Sequence, residues 1–236
     1  MITVTELLKK KISLFVSLPA NRTDMYEAAL QGGADVIKVH INVDHRASGS
    51  RFGSLEENLA FLEQISSERK VPHGIVPGGS AEQVSKELID SLVSLNFDFF
   101  SLYAHHTPAW LMNDSRLTRM VAINNQYTLE QASSLSSIGI DILEASVMPP
   151  ESYGSLLTAQ DLASYKLLTL TIDKPIVVPT QKLVRECDLE PLVRTGIRGL
   201  MIGAIVTGTE PESLYRVTKR YKELLAEIAH KLEGER

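Results

Sequence analysis

The sequence predicts an α/β protein folded as a single (β/α)8 barrel, and three observations carry that expectation. Eight short β-branched runs alternate with segments of helical period, the 236 residues are about what one barrel needs, and a helix-ending phrase recurs before every second strand. No Pro- or Ser-rich linker and no shift in composition divides the chain, so residues 1–236 are expected to form one barrel domain.

The strand-like runs are Leu14 to Pro19, Val36 to Val43, His73 to Pro77, Phe97 to Ala104, Thr118 to Asn124, Ile142 to Met148, Pro175 to Thr180 and Leu200 to Val206. Helical signals fill the intervals at Thr23 to Gln31, Leu55 to Ser67, Ser80 to Leu95, Thr128 to Ser137, Thr158 to Leu168 and Val184 to Arg194, with a short segment around Trp110. The last helix is the clearest, because Leu214, Val217, Tyr221, Leu224, Ile228 and Leu232 recur at three- and four-residue spacing.

The recurring phrase is Gly33-Ala34-Asp35, Asn96-Phe97-Asp98, Gly139-Ile140-Asp141 and Gly196-Ile197-Arg198. Gly or Asn suits a helix C-terminus, where the chain turns through a left-handed conformation. The phrase therefore sets a common register for strands two, four, six and eight. Outward residues of a barrel strand must be apolar to meet the helices. That assigns Ile37, Val39 and Ile41, Phe100 and Leu102, and Leu143, Ala145 and Val147 to the outside. Equal offsets from the phrase then form interior layers. The first is Lys38, Ser101, Glu144 and Met201; the second is His40, Tyr103, Ser146 and Gly203; the third, at the mouth, is Asn42, His105, Met148 and Ile205. An interior this polar toward the carboxyl ends of the strands is where ligand chemistry is expected.

Composition narrows the partners. The chain has 24 basic and 29 acidic side chains, a formal charge of −5, and so no electrostatic footprint for nucleic acid. No apolar run approaches a membrane span and Met1 to Lys11 holds no signal core, so a cytoplasmic protein without membrane partners is expected. Cys187 is the only cysteine, which excludes an intrachain disulfide framework and suits a reducing compartment; on its expected helix it reads as a packing residue.

Lys38 and Glu144 share a layer across the narrow interior, where long side chains can meet. With His40 and the Tyr103 hydroxyl above them, they are the candidate catalytic residues for proton transfer and enolate stabilisation. Ser17, Asn42, His105, Asn124 and Ser146 lie at or near the mouth and are candidate substrate contacts. Arg46 and Arg51 join them from the loop Asp44 to Gly53, which can close over the mouth. For an anion, the segment Gly199 to Thr209 offers backbone amides near Gly203 and Ala204, followed by Thr207, Gly208 and a helix start around Thr209. Thr180, Gln181 and Lys182 form the opposite wall. Strands seven and eight are the recurrent phosphate position of this fold. The histidines match no metal spacing and Lys38 is a competing cation, so neither a metal nor a cofactor is expected.

The stretches Gly32 to Gly53 and Gly196 to Gly208 resemble the ribulose-phosphate-binding (β/α)8 superfamily, which includes sugar-phosphate epimerases and decarboxylase-like barrels. The catalytic motif is altered. Where the pentose-phosphate epimerases carry a metal-binding His and a catalytic Asp on strand two, this chain has Lys38 and His40; where the decarboxylase-like pattern has Asp three residues after its Lys, this chain has Ile41. The resemblance implies a small phosphorylated ligand, and it admits a homodimer without locating its patch. Three functions follow: acid/base isomerisation or epimerisation of a sugar phosphate, a Schiff-base lyase or aldolase using Lys38, and a non-catalytic barrel that binds a phosphorylated metabolite.

Overall fold

A computed structural model of the protein describes residues 2–235. Eight strands close into an all-parallel barrel in which sequential strands are neighbours: β1 (Ser13–Ser17), β2 (Val36–His40), β3 (His73–Val76), β4 (Phe99–Tyr103), β5 (Thr118–Ile123), β6 (Ile142–Ala145), β7 (Ile176–Pro179) and β8 (Gly199–Ile202). The helices are α1 (Val4–Lys10), α2 (Thr23–Gln31), α3 (Leu55–Ser67), α4 (Lys86–Ser94), α5 (Leu129–Ser137), α6 (Ala159–Thr171), α7 (Leu189–Arg194), α8 (Ala204–Thr207) and α9 (Pro211–Gly234). Among the described residues no helix is long and apolar enough to cross a membrane.

Strand alternation separates two apolar regions. Ile37, Val39, Phe100, Leu102, Leu143, Ala145, Leu200 and Ile202 pack outward in the large core beneath the helices. Inside the barrel Phe15, Val36, Phe99, Met120, Ile142, Val177 and Met201 form a second cluster, closed from below by Val4, Leu7 and Leu8 of α1. That helix was not expected. Its signals are present in the sequence: the Thr3–Glu6 capping box, and apolar residues at relative positions 0, 3 and 4. With its lower half filled by hydrocarbon, the barrel leaves only its upper half for polar chemistry.

The recurring phrase proves to be a clamp. Gly33, Asn96, Gly139 and Gly196 all adopt positive φ, at 88°, 56°, 99° and 100°. The aspartate two residues later accepts the backbone N–H of the preceding odd strand: Leu14 to Asp35 at 2.9 Å, His73 to Asp98 at 2.7 Å and Arg119 to Asp141 at 2.9 Å. A cation neutralises each one, Lys11 and Lys222 at Asp35, Arg69 at Asp98 and Arg119 at Asp141. In the fourth copy Arg198 keeps only the backbone bond, to the Ile176 carbonyl. These carboxylates therefore hold the lower rim together and take no part in the site above.

Three differences from the expected elements bear on the site. The strands end earlier than the runs suggest, at His40, Tyr103, Ala145 and Ile202. The third interior layer therefore does not form: Met148 packs in the outer core, and Ile205 belongs to the turn of α8. The loop after β2 forms a hairpin, pairing Val43–His45 with Ser50–Phe52. Cys187 is exposed on a 3-10 turn, Glu186–Asp188, ahead of α7 instead of packing inside.

Candidate active site at the barrel mouth

A cavity of about 600 Å³ opens at the carboxyl ends of the strands, with Lys38, Ser101, Glu144 and Met201 at its base. Lys38 Nζ donates to Glu144 Oε2 at 3.0 Å and Oε1 at 3.2 Å, and both residues are 5% exposed. Ser101 Oγ donates to Oε2 at 2.6 Å and Ser146 Oγ to Oε1 at 3.2 Å. Each carboxylate oxygen thus accepts two hydrogen bonds, which is what a buried charge requires. An ammonium has three protons, and two are accounted for by Glu144, so one N–H of Lys38 remains for the cavity.

Above this pair lies a histidine stack. His40 is 2% exposed, with its ring centroid 4.6 Å from His45 and 4.7 Å from Phe52, both carried by the hairpin. Ser50 Oγ donates to the Pro19 carbonyl at 2.8 Å, which fastens the hairpin to the loop after β1. Burial, then the neighbouring His45 and Lys38, push the His40 pKa well below the ordinary imidazole value. His45 is lowered to about 4, by burial and then by Lys38. Both rings are neutral at pH 7. His40 Nε2 lies 3.4 Å from Ser17 Oγ, while its buried Nδ1 has no hydrogen-bond partner.

The opposite wall carries Ser146, Tyr103 and Tyr153. Burial raises the Tyr103 pKa, with Tyr153 and Glu144 adding to the shift, so its phenol stays protonated. Gln181, expected at a phosphate, instead joins two loops: its Oε1 accepts Met148 N–H at 3.0 Å, and its Nε2 donates to the Ser146 carbonyl at 3.2 Å and to the Tyr153 hydroxyl. Sequence reasoning misses Tyr153 because it sits in an aperiodic loop and gains its place through contacts with the segment after β7, Gln181 among them.

The expected phosphate residues divide. Gly203 lines the cavity, and its N–H goes to Thr180 Oγ1 at 3.2 Å. A Cβ placed there meets only Ser17, at 3.7 Å, so packing does not demand glycine, and its lack of a side chain leaves the backbone open to the cavity. At Gly74 a Cβ falls within 1.9 Å of the Phe99 ring, a purely steric requirement. Ala204 follows Gly203 as the first residue of α8, one turn long. Lys182 faces away: its Nζ donates to Ser155 Oγ at 2.9 Å and lies 3.7 Å from Asp161. Thr207 is buried with its hydroxyl on the Gly208 carbonyl, and Gly208 is exposed with a φ of 66° that ends the turn. Neither reaches the cavity, because β8 stops at Ile202 and α8 carries the chain aside.

Asn42 lines the cavity with φ 54°, its Nδ2 donating to the Pro77 carbonyl at 3.1 Å. Arg46 stands exposed at the rim, while Arg51 pairs opposite Asp44 in the hairpin and does not line the cavity. His105 is exposed, stacked on Tyr103 and 3.4 Å from the Tyr127 hydroxyl. Since β4 ends at Tyr103 and turns into a 3-10 segment, His106 takes the cavity-facing position instead. Asn124 lies outside the cavity, its Oδ1 accepting Gln126 N–H at 2.9 Å. Among the described residues no three His, Cys, Asp or Glu side chains converge where a metal ion could sit.

No protein-family model and no curated protein matches the chain. Solved structures do. A thiamine phosphate pyrophosphorylase from Pyrococcus furiosus aligns at 17% identity with a TM-score of 0.66, covering 94% of this chain and 98% of that one. A tryptophan synthase structure from Mycobacterium tuberculosis aligns at 14% identity and 0.71, covering 97% and 99%. A protein from Aquifex aeolicus VF5 aligns at 15% identity and 0.67, covering 93% and 96%. At such identities the likeness is one of fold: the chain is a (β/α)8 barrel.

Proposed function

We propose that the protein is an enzyme that moves a proton within a small phosphorylated metabolite, by acid/base isomerisation or epimerisation of a sugar phosphate. The observation that carries this reading is the buried Lys38–Glu144 pair at the base of an open cavity, where a cation and an anion are held ready on the inner wall of the barrel. Glu144 takes the proton from the carbon beside the substrate carbonyl. The longer Ser146 contact, 3.2 Å against 2.6 Å from Ser101, is the one that yields to free its lone pair. The remaining N–H of Lys38 faces the oxygen on which charge develops. Neutral His40 offers its unpartnered Nδ1 to a substrate hydroxyl.

The phosphate is assigned to the cavity wall at Gly203, where the Thr180 hydroxyl accepts the Gly203 N–H and keeps its own proton for an anion, with Arg46 at the rim supplying the positive charge in place of Lys182. The fold shared with a thiamine phosphate pyrophosphorylase is in keeping with a phosphorylated ligand. The reading includes a cytoplasmic setting and a small-molecule partner. A Schiff base at Lys38 is less well served, because an ammonium held by both oxygens of Glu144 has no free lone pair to attack a carbonyl. Incubation with a panel of aldose, ketose and hexosamine phosphates in deuterated buffer tests the proposal. Deuterium entering the carbon beside the carbonyl supports it, and ligand binding without exchange in any of them replaces it with a non-catalytic binding barrel.

A further inference from the structure

The orientation of one amide points to a residue that neither the sequence nor the ion pair brought forward. Gln181 is 6% exposed, and its side-chain oxygen is committed to the Met148 backbone N–H, a group that can only donate. The end turned toward Tyr153 is therefore the NH2, which donates both to the Ser146 carbonyl and to the Tyr153 hydroxyl. Tyr153 oxygen is an acceptor in that bond, so the phenolic proton is not spent on Gln181 and is directed away from it. Tyr153 lines the cavity on the side of Ser146 and Tyr103.

The loop that bears Tyr153 is held in place by the same strap. Gly154 N–H donates to the Gln181 carbonyl at 2.9 Å, Leu183 N–H to the Ser155 carbonyl at 2.8 Å, and Lys182 Nζ to Ser155 Oγ at 2.9 Å. These bonds explain why the segment after β7 is polar although only part of it faces the cavity: it aims the phenol.

We propose that Tyr153 is a second hydrogen-bond donor, beside Lys38, to the substrate oxygen on which negative charge develops, with Gln181 as the positioning residue that turns its proton inward. The assignment rests on the proton-transfer reading. As the base removes the proton beside the carbonyl, the C–H pair forms the new C=C bond and the carbonyl π pair moves onto oxygen. Tyr153 stabilises that oxyanion by a hydrogen bond and keeps its own proton, and return of a proton to carbon restores the carbonyl.

The test uses 2-phosphoglycolate, whose carboxylate mimics an enediolate, with inorganic phosphate as the control, in calorimetric titrations of the wild type, Tyr153→Phe and Gln181→Glu. Side-chain amide spectra of the 15N-labelled proteins accompany them. Tyr153→Phe is expected to shift the Gln181 NH2 resonances and to weaken 2-phosphoglycolate about tenfold, with phosphate affinity unchanged. Gln181→Glu replaces the donor with an acceptor that draws the phenolic proton away, and is expected to give the same selective loss. Unmoved Gln181 resonances in Tyr153→Phe, or equal 2-phosphoglycolate affinity in all three proteins, overturns the assignment while leaving the phosphate reading intact. A wild type that binds neither anion overturns both.

Discussion

The Lys38 ammonium and the Glu144 carboxylate meet at 3.0 Å across the inside of the barrel, one from β2 and the other from β6. Both lie directly above the hydrocarbon that fills the lower half and are 5% exposed, so each meets water only from the cavity side and depends on its partner for most of its solvation. Lys38→Met or Glu144→Leu alone is expected to cost about 3–5 kcal/mol of unfolding free energy. The double variant is expected to recover at least half of the larger loss. Urea unfolding of the three variants measures this, and additive losses would show that the pair is not coupled.

The buried histidines make stability depend on pH in a defined window. His45 and His73 are each lowered to about 4, chiefly by burial, and His40 lies well below its ordinary value. An imidazole in the unfolded chain takes up a proton near 6.5. Below that pH the unfolded state binds more protons than the folded one, so stability falls as the pH drops from 6.5 toward 4. The limiting slope is about 1.4 kcal/mol per pH unit for each histidine. Urea midpoints at pH 7.5, 5.5 and 4.5 report it; a flat profile across that range contradicts the neutral stack.

Lys182 and Arg46 are expected to separate structure from ligand. Lys182→Ala leaves Asp161 and Ser155 without their cation and destabilises the fold by about 1–3 kcal/mol, yet it changes phosphate affinity by less than about twofold. Arg46→Ala is expected to do the reverse, with unchanged stability and a several-fold, salt-dependent loss of phosphate binding. Phosphate titrations at low and moderate ionic strength, with thermal unfolding alongside, distinguish the two.

Gly203→Ala places its methyl group at an ordinary 3.7 Å from Ser17 in extended backbone, φ −152°. Stability is expected to hold within about 0.5 kcal/mol, while inorganic phosphate binding weakens because the methyl fills the cavity wall beside the Thr180 hydroxyl. Gly74→Ala drives a carbon into the Phe99 ring and is expected to prevent a stable fold. Equal behaviour of the two glycines would remove the argument for an anion at Gly203.

The barrel was legible because its two periods are written plainly: alternation in Val36 to Ile41 and Phe99 to Tyr103, helical spacing in the last helix, and left-handed helix ends at the start of the even strands. Interior residues two and four positions along each run follow from that parity, which is how Lys38 and Glu144 are matched at a separation of 106 positions. The mouth was not legible, since parity loses meaning once a strand ends; His105 and His106 exchange places for that reason alone. Charge gives no direction either, and Lys182 turns toward Ser155 of the loop after β6 and Asp161 in the first turn of α6. Tyr153 depends on an amide 28 positions away, a relationship with no trace in local spacing.

In the proposed reaction Glu144 moves a proton to and from a carbon of a phosphorylated substrate. Proton NMR of sugar phosphates in deuterated buffer, comparing the wild type with Glu144→Gln, tests it most directly. The signal beside the carbonyl of at least one substrate is expected to disappear with the wild type, and to disappear at least about 100-fold more slowly with Glu144→Gln, on the order of what a general base supplies. Exchange that proceeds equally in both proteins, or in neither with every phosphate that binds, contradicts it.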